Sequence, residues 1–246
     1  KAGVYLVAVL APVFAGTPGW RPILLTLGAA TMIIGGWRSL RQYDIKVLLA
    51  YGTVSQLGFL VVLCGIGTRS AALGGIALLV GHALFKSTLF LVVGIVDHSA
   101  GPRDLRRLNG VGRRMPVVAG AALLAGASMA AVPPTLGFVA KEAGFEGLTD
   151  LVGGDGTRVP PLPAVLLAAA LVAGSALTVA YTLRFWWGAF MSKRGAYFID
   201  PSGTEHPTTA DHRVSPAFAA APVLLGLACL AGGFVGHPLT EALQGY

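Results

Sequence analysis

Charged side chains are scarce in this chain. They make up 12% of its 246 residues, about half of the roughly 25% carried by an ordinary soluble domain. With 54% hydrophobic residues and a mean hydropathy of +0.71, too little polar surface exists to cover a globule facing water. Cysteine is rare as well. Cys64 and Cys229 each sit inside an apolar run; a disulfide between them is possible in principle, but their spacing suggests none and no CxxC or zinc-ligand pattern is present, so both are expected as small packing residues. Acidic residues number 11 against 18 Lys and Arg. The resulting +7 suggests nucleic acid at first sight, yet the basic residues lie in short loops between apolar runs, which is the pattern of membrane topology. No dinucleotide fingerprint and no nucleophile–base arrangement is present. GHALFKST ends like a phosphate-binding loop, but Phe85 stands where glycine must precede the lysine. No cofactor, no metal and no nucleic-acid partner is expected.

What the chain has in quantity is long hydrophobic runs. A helix crossing a bilayer core of about 30 Å needs roughly 20 apolar residues. Seven stretches are candidates: residues 2–15 (truncated), 22–37, 47–66, 71–96, 116–141, 162–190 and 216–235. Alternation of the β-barrel kind is absent. The expectation is an all-α, polytopic transmembrane bundle forming one membrane domain. The first residue is Lys1, and KAGVYLVAVLAPVFAG has the outline of a cleaved signal peptide. A helix cut at its midpoint has the same outline, and six further apolar stretches follow, so a piece of a longer protein is the expectation.

Loop charge sets the orientation. The loops after the second, fourth and sixth stretches hold Arg38, Arg41, Arg103, Arg106, Arg107, Arg113, Arg114, Lys193, Arg194 and Arg213, against Arg21, Arg69 and Arg158 in the others. Lys and Arg accumulate on the cytoplasmic side, so the first group is expected there. Trp20, Trp37, Trp186 and Trp187 fall near the ends of stretches, where amphipathic rings settle. RDLRRLNGVGRR suits anionic lipid, although topology alone explains it. His98, His206, His212 and His237 lack metal-ligand spacing and are expected to be solvated.

Two features break the apolar pattern. Pro133 and Pro134 interrupt the fifth stretch, and Lys141 and Glu142 follow. Adjacent prolines remove backbone donors and break a helix, and such backbone survives at membrane depth only inside protein or beside a hydrated cavity. The second feature is intramembrane charge, which costs at least about 2.5–3.5 kcal/mol per group on insertion scales. His82 and Lys86 are four residues apart, hence on one helical face, roughly 16 and 22 Å below the start of their stretch at Ala71. Histidine titrates near neutral pH and desolvation disfavours an ammonium, so a water-bridged row of such groups can pass a proton. The plainer alternative is a histidine bonded to a neighbouring helix and a lysine reaching the headgroups. Lys46 opens the third stretch and either snorkels or heads a polar stripe continued by Thr53, Ser55 and Gln56. Lys141 is either an interfacial anchor or part of the row. Lys1 is undecided on position alone.

DIKVLLAYGTVSQLG, GHALFKSTLFLVVGIVDH and SMAAVPPTLGFVAKEAGFEG strongly resemble the antiporter-like subunits shared by Mrp-type Na+/H+ antiporters and respiratory complex I. KAGVYL and DHSAGPRDLRRLNG look most like the A-type subunit of the Mrp antiporters. The resemblance implies the C-terminal part of an antiporter-like fold built from two inverted repeats, in a multi-pass subunit of the bacterial inner membrane. It matches Lys141 to the lysine of the interrupted helix, His82 and Lys86 to the histidine and lysine of the preceding helix, Lys46 to the lysine of the DxK motif and Lys1 to a bridging lysine. Leu78 stands where some complex I members have a second histidine, and the family's glutamate–lysine pair of the first half is not in this chain. The function implied is proton translocation in a multisubunit cation/proton antiporter, with other membrane subunits, lipid, protons and Na+ as partners. The alternative is a proton-pumping subunit of complex I or of a membrane-bound hydrogenase. A third class is a scaffold whose polar residues only join helices.

Overall fold

The computed structural model describes residues 1–153, 161–193, 198–199, 205–206 and 214–243. Arg158, Arg194, Arg213 and His212 lie outside the described residues, as do the side chains of His206 and His237. The described residues form the helices α1 (Ala2–Phe14), α2 (Trp20–Leu40), α3 (Ile45–Ile66), α4 (Arg69–Ala100), α5 (Val111–Arg114), α6 (Pro116–Ala130), α7 (Leu136–Gly153), α8 (Pro161–Phe190) and α9 (Pro216–Leu243), with one antiparallel pair, β1 (Phe198–Ile199) and β2 (Glu205–His206), between α8 and α9. Among the described residues five helices are long and apolar enough to cross a membrane, namely α2, α3, α4, α8 and α9, while α1 and α6 are shorter apolar helices.

Local signals set the helix ends. Asp44 caps α3, its carboxylate accepting from the Lys46 and Val47 amides at 2.8 and 3.0 Å, and Gly67 at φ 73° stops it. Thr68 caps α4 by accepting from the Ala71 amide at 3.3 Å, satisfying a donor that has no partner within the helix. Between α6 and α7 the chain passes through Ala131, Val132, Pro133, Pro134 and Thr135. Ala131 takes a left-handed conformation, φ 62°, with its amide on Ser128 O (3.1 Å) and the Val132 amide on Ala127 O (2.9 Å), a closure usually given to glycine. The Pro133–Pro134 bond is cis. Beyond the break, α7 carries on past Lys141 to Gly153.

Helices meet through small residues. A Cβ on Gly58 would lie 2.5 Å from Met32 N and 2.7 Å from Gly28 O, so the α2 and α3 backbones touch, the close approach typical of membrane helices. At one end of the bundle α4 and α7 touch likewise: a Cβ on Gly74 would meet Gly144 N at 2.8 Å, and one on Gly147 would meet Ala71 N at 2.5 Å.

The two ends are tied differently. At the first, the Ile45 amide donates to Arg103 O (3.0 Å) and the Leu105 amide to Tyr43 O (2.8 Å), joining the turn before α3 to the segment after α4. Lys193, after α8, donates its Nζ to Leu105 O, to Leu108 O at 2.7 Å and to Gly188 O at 3.1 Å. The segments after α2, α4 and α8, those with most of the basic residues, therefore converge. At the opposite end Thr68 Oγ1 donates to Gly147 O (3.0 Å) and Ser70 Oγ to Asp150 (2.7 Å).

Buried apolar side chains fall into two clusters. One contains Leu49, Phe85, Met129 and Tyr181; the other contains Phe59, Leu78, Ala140 and Leu171. On α3, α4 and α8 the boundary between them falls within a few residues of mid-helix, and the buried polar side chains occupy that boundary.

Candidate functional site: a polar layer between two apolar clusters

α4 contributes His82 and Lys86, 1% and 4% exposed. They lie between Leu78 of one cluster and Leu89 of the other, and Lys86 is near the middle of its 32-residue helix. Lys86 Nζ donates to the main-chain oxygen of Leu49 on α3 at 3.0 Å. The approach depends on Gly52: a Cβ there would lie 3.2 Å from Lys86 Nζ and 3.0 Å from the Tyr181 ring. His82 packs edge-on against Phe85, with ring centroids 5.4 Å apart. Both its ring nitrogens are buried with no hydrogen-bond partner among the described residues. Such atoms are rare, because an unmet buried polar group costs about 1–3 kcal/mol.

Lys141 is 4% exposed. Its Nζ lies 3.5 Å from Met129 O and 5.6 Å from the centre of the Phe59 ring. Why that oxygen is available follows from the sequence. Met129 O would ordinarily accept from the amide four residues on, and that residue is Pro133, which has no N–H. The break thus supplies the acceptor that receives the lysine. Nearby, Ser128 Oγ accepts from the Gly137 amide at 3.2 Å.

Three further polar residues complete the layer. Gln56 on α3 donates to Thr178 Oγ1 (3.0 Å) and to the Tyr181 hydroxyl (3.1 Å) on α8, and its Oε1 is buried without a partner among the described residues. The Tyr181 hydroxyl lies 3.4 Å from Gly52 O, on the same glycine that makes room for Lys86. Sequence reasoning noticed Gln56 as part of a stripe but missed Thr178 and Tyr181. The available signal was their spacing: Thr178, Tyr181 and Thr182 recur at helical intervals on one face of a largely apolar helix.

The remaining expected residues stand apart from this buried set. Lys46 is exposed in the first turn of α3. Lys1 is exposed at the start of α1. Cys64 and Cys229 are free thiols. His98 is exposed and touches Phe218 edge-on at 6.0 Å. Among the described residues no group of three or more His, Cys, Asp or Glu is placed to hold a metal ion.

Two amines and an imidazole are thus buried with no carboxylate bonded to them among the described residues, in a chain whose helices suit a bilayer. Residues 1–152 match the family described as NADH:quinone oxidoreductase/Mrp antiporter, transmembrane. The chain belongs to this family. It is a multi-pass membrane protein. It is 38% identical to the probable A/B-type subunit of the K(+)/H(+) antiporter of Rhizobium meliloti (strain 1021), over 96% of this chain and 22% of that protein. To the A-type subunit of the Na(+)/H(+) antiporter of Alkalihalophilus pseudofirmus (strain ATCC BAA-2126 / JCM 17055 / OF4) it is 34% identical, over 99% of this chain and 31% of that one. The solved Mrp complex from Dietzia sp. DQ12-45-1b contains a chain of like fold, with a TM-score of 0.80 and 36% identity over 98% of this chain and 24% of the other. The antiporter-family chain described here therefore spans less than a third of the length of these relatives.

Proposed function

We propose that this chain is part of a proton-translocating membrane subunit of a multisubunit cation/proton antiporter, with Lys86, His82 and Lys141 passing protons along the polar layer. The protein is a transporter component of the bacterial inner membrane, and it works with other membrane subunits of the same complex. Lys46, at the end where the basic segments converge, connects the layer to the cytoplasmic side. Lys1, at the start of α1, is the bridging group of that path. The seven helical passages expected from the sequence are each transmembrane, with α6 and α7 making one crossing between them.

One observation carries this reading: both buried amines meet neutral main-chain oxygens and, among the described residues, no carboxylate. A fixed ion pair would hold a lysine in one charge state, since breaking a buried pair is strongly unfavourable. A carbonyl accepts from an amine in either state, so the group stays free to gain and lose its proton. The partnerless nitrogens of His82 and the Oε1 of Gln56 are polar sites that water would satisfy, and water supplies the steps between residues.

Lys141→Ala in the full-length, assembled antiporter tests it. Exchange in membrane vesicles, followed with a pH-sensitive dye, is expected to be abolished while the complex still assembles. Wild-type exchange in that variant overturns the assignment. Na+ is the expected counter-ion. Relatives are named for K(+) as well as Na(+), and the same vesicles with each cation in turn decide between them. Proton pumping driven by a redox partner is the second reading, favoured by the family's description, which includes NADH:quinone oxidoreductase. Under it, exchange is absent from the wild type and proton movement follows electron transfer.

A further inference from the structure

Outside the polar layer, the end where the basic segments converge has a surface cavity of about 670 Å3 between the Tyr43 turn, the segment after α4 and the last turns of α8. Its lining includes Tyr43, Arg106, Leu183, Arg184, Trp187 and Lys193. The guanidinium carbons of Arg106 and Arg184 lie 4.4 and 5.1 Å from the centre of the same Tyr43 ring, so two cations share one aromatic platform.

Their charges are not equally answered. Arg106 makes a close pair with Asp104, Nη2 to Oδ2 at 2.6 Å, and that hydrogen bond holds the Asp104 carboxyl below the usual carboxylate range. The two cancel at neutral pH. Among the described residues Arg184 has no such partner: it donates Nη2 to the neutral oxygen of Gln42 at 3.2 Å, and its Nε is buried without an acceptor. Lys193 hydrogen-bonds to main-chain oxygens. Within the described residues, the cavity therefore sets three cations against one carboxylate and carries net positive charge.

Directly along α8 the surface changes character. Trp187, Leu183 and Val179 follow one another at four-residue steps, 62%, 62% and 38% exposed, forming an apolar track that leads from the cavity toward mid-helix. We propose that this cavity binds the headgroup of an anionic phospholipid, the phosphate facing Arg184 over the Tyr43 platform and an acyl chain lying along Trp187, Leu183 and Val179. A free phosphate would use the cation and leave the track unused. A zwitterionic lipid brings an ammonium, and the carboxylate beside the cavity is already committed to Arg106.

The test uses the intact complex containing this protein, reconstituted in nanodiscs with photoactivatable phosphatidylglycerol or, separately, photoactivatable phosphatidylcholine. The α8 segment around Val179–Trp187 is expected to be labelled by the first lipid in preference to the second, with inorganic phosphate failing to compete. Arg184→Gln should lower that labelling about fivefold, the effect of one cation at a membrane surface, and Arg184→Lys should restore most of it. Should Arg184→Gln impair assembly, Arg106→Gln, at an exposed side chain, is expected to lower labelling in the same direction. Equal labelling by the two lipids, labelling unchanged in both glutamine variants, or full competition by phosphate overturns the proposal. So does a photocrosslinker at Leu183 that captures another protein of the complex in place of lipid.

Discussion

Gly52 is a residue whose importance is invisible in its own chemistry. It sits where Lys86 Nζ, the Tyr181 ring and the α3 backbone come together, with 3.2 and 3.0 Å available to a Cβ. Gly52→Ala is expected to push Lys86 off Leu49 O and Tyr181 off its place, overpacking of the kind that costs about 1–3 kcal/mol. Exchange by the assembled antiporter should fall well below wild type. Detergent-solubilised complex should melt a few degrees lower at most, so a mutant that transports normally contradicts the assigned contact. At this scale the sequence was legible where a residue is costly by itself. His82, Lys86 and Lys141 stand out because hydrocarbon penalises them, and all three are buried. Tyr181 and Thr178 are cheap in a membrane helix, and what makes them part of the site is Gln56, 125 and 122 residues away in sequence. Lys46 carries its charge at the head of a polar stripe and, as a residue in the first turn of a helix, reaches the surface.

At the scale of elements, the break between α6 and α7 couples backbone chemistry to a side chain. Because Pro133 offers no N–H, Met129 O is left for Lys141. Pro133→Ala supplies a competing donor. The expected outcome is a more continuous helix through residues 130–135, unchanged or slightly raised thermal stability, and exchange reduced toward the level of Lys141→Ala. Exchange at wild-type level with the helix demonstrably closed would separate the lysine from the break. The interruption itself was readable from two adjacent prolines in an apolar stretch. Its acceptor was not, because identifying it needs the register of α6 against α7. The apolar stretch 162–190 lies along α8, Pro161–Phe190. Helices α4, α7 and α9 run on beyond the apolar stretches 71–96, 116–141 and 216–235 to Ala100, Gly153 and Leu243. Polar helix ends outside a bilayer carry no hydropathy signal.

At the scale of the whole molecule, the buried polar residues along the middle of α3, α4 and α8 lie where two apolar clusters meet. The ends are held separately, one by the Tyr43–Leu105 and Lys193 contacts and the other by Thr68 and Ser70. This arrangement fixes which segments share a side. Single cysteines introduced at Arg41, Arg107 and Lys193, in a background with Cys64 and Cys229 replaced, should react with an impermeant maleimide from the cytoplasmic face alone. A cysteine at Arg69 should react from the opposite face alone. Mixed labelling within the first set overturns the topology read from loop charge. That the basic segments share an end was open to sequence reasoning because it follows from counts of Lys and Arg between apolar stretches, whereas the layering depends on helices packing in three dimensions.

The contact of α4 with α7 near Gly74 and Gly147 has a bearing on the path proposed through Lys141. Main chain presses on main chain there, with no room even for a methyl group, and a file of solvent cannot be threaded through such a joint. A proposed path from Lys141 toward that side therefore has to pass beside the joint, not through it. The glycines thus close that joint, and a larger residue at Gly74 or Gly147 would prise the two helices apart.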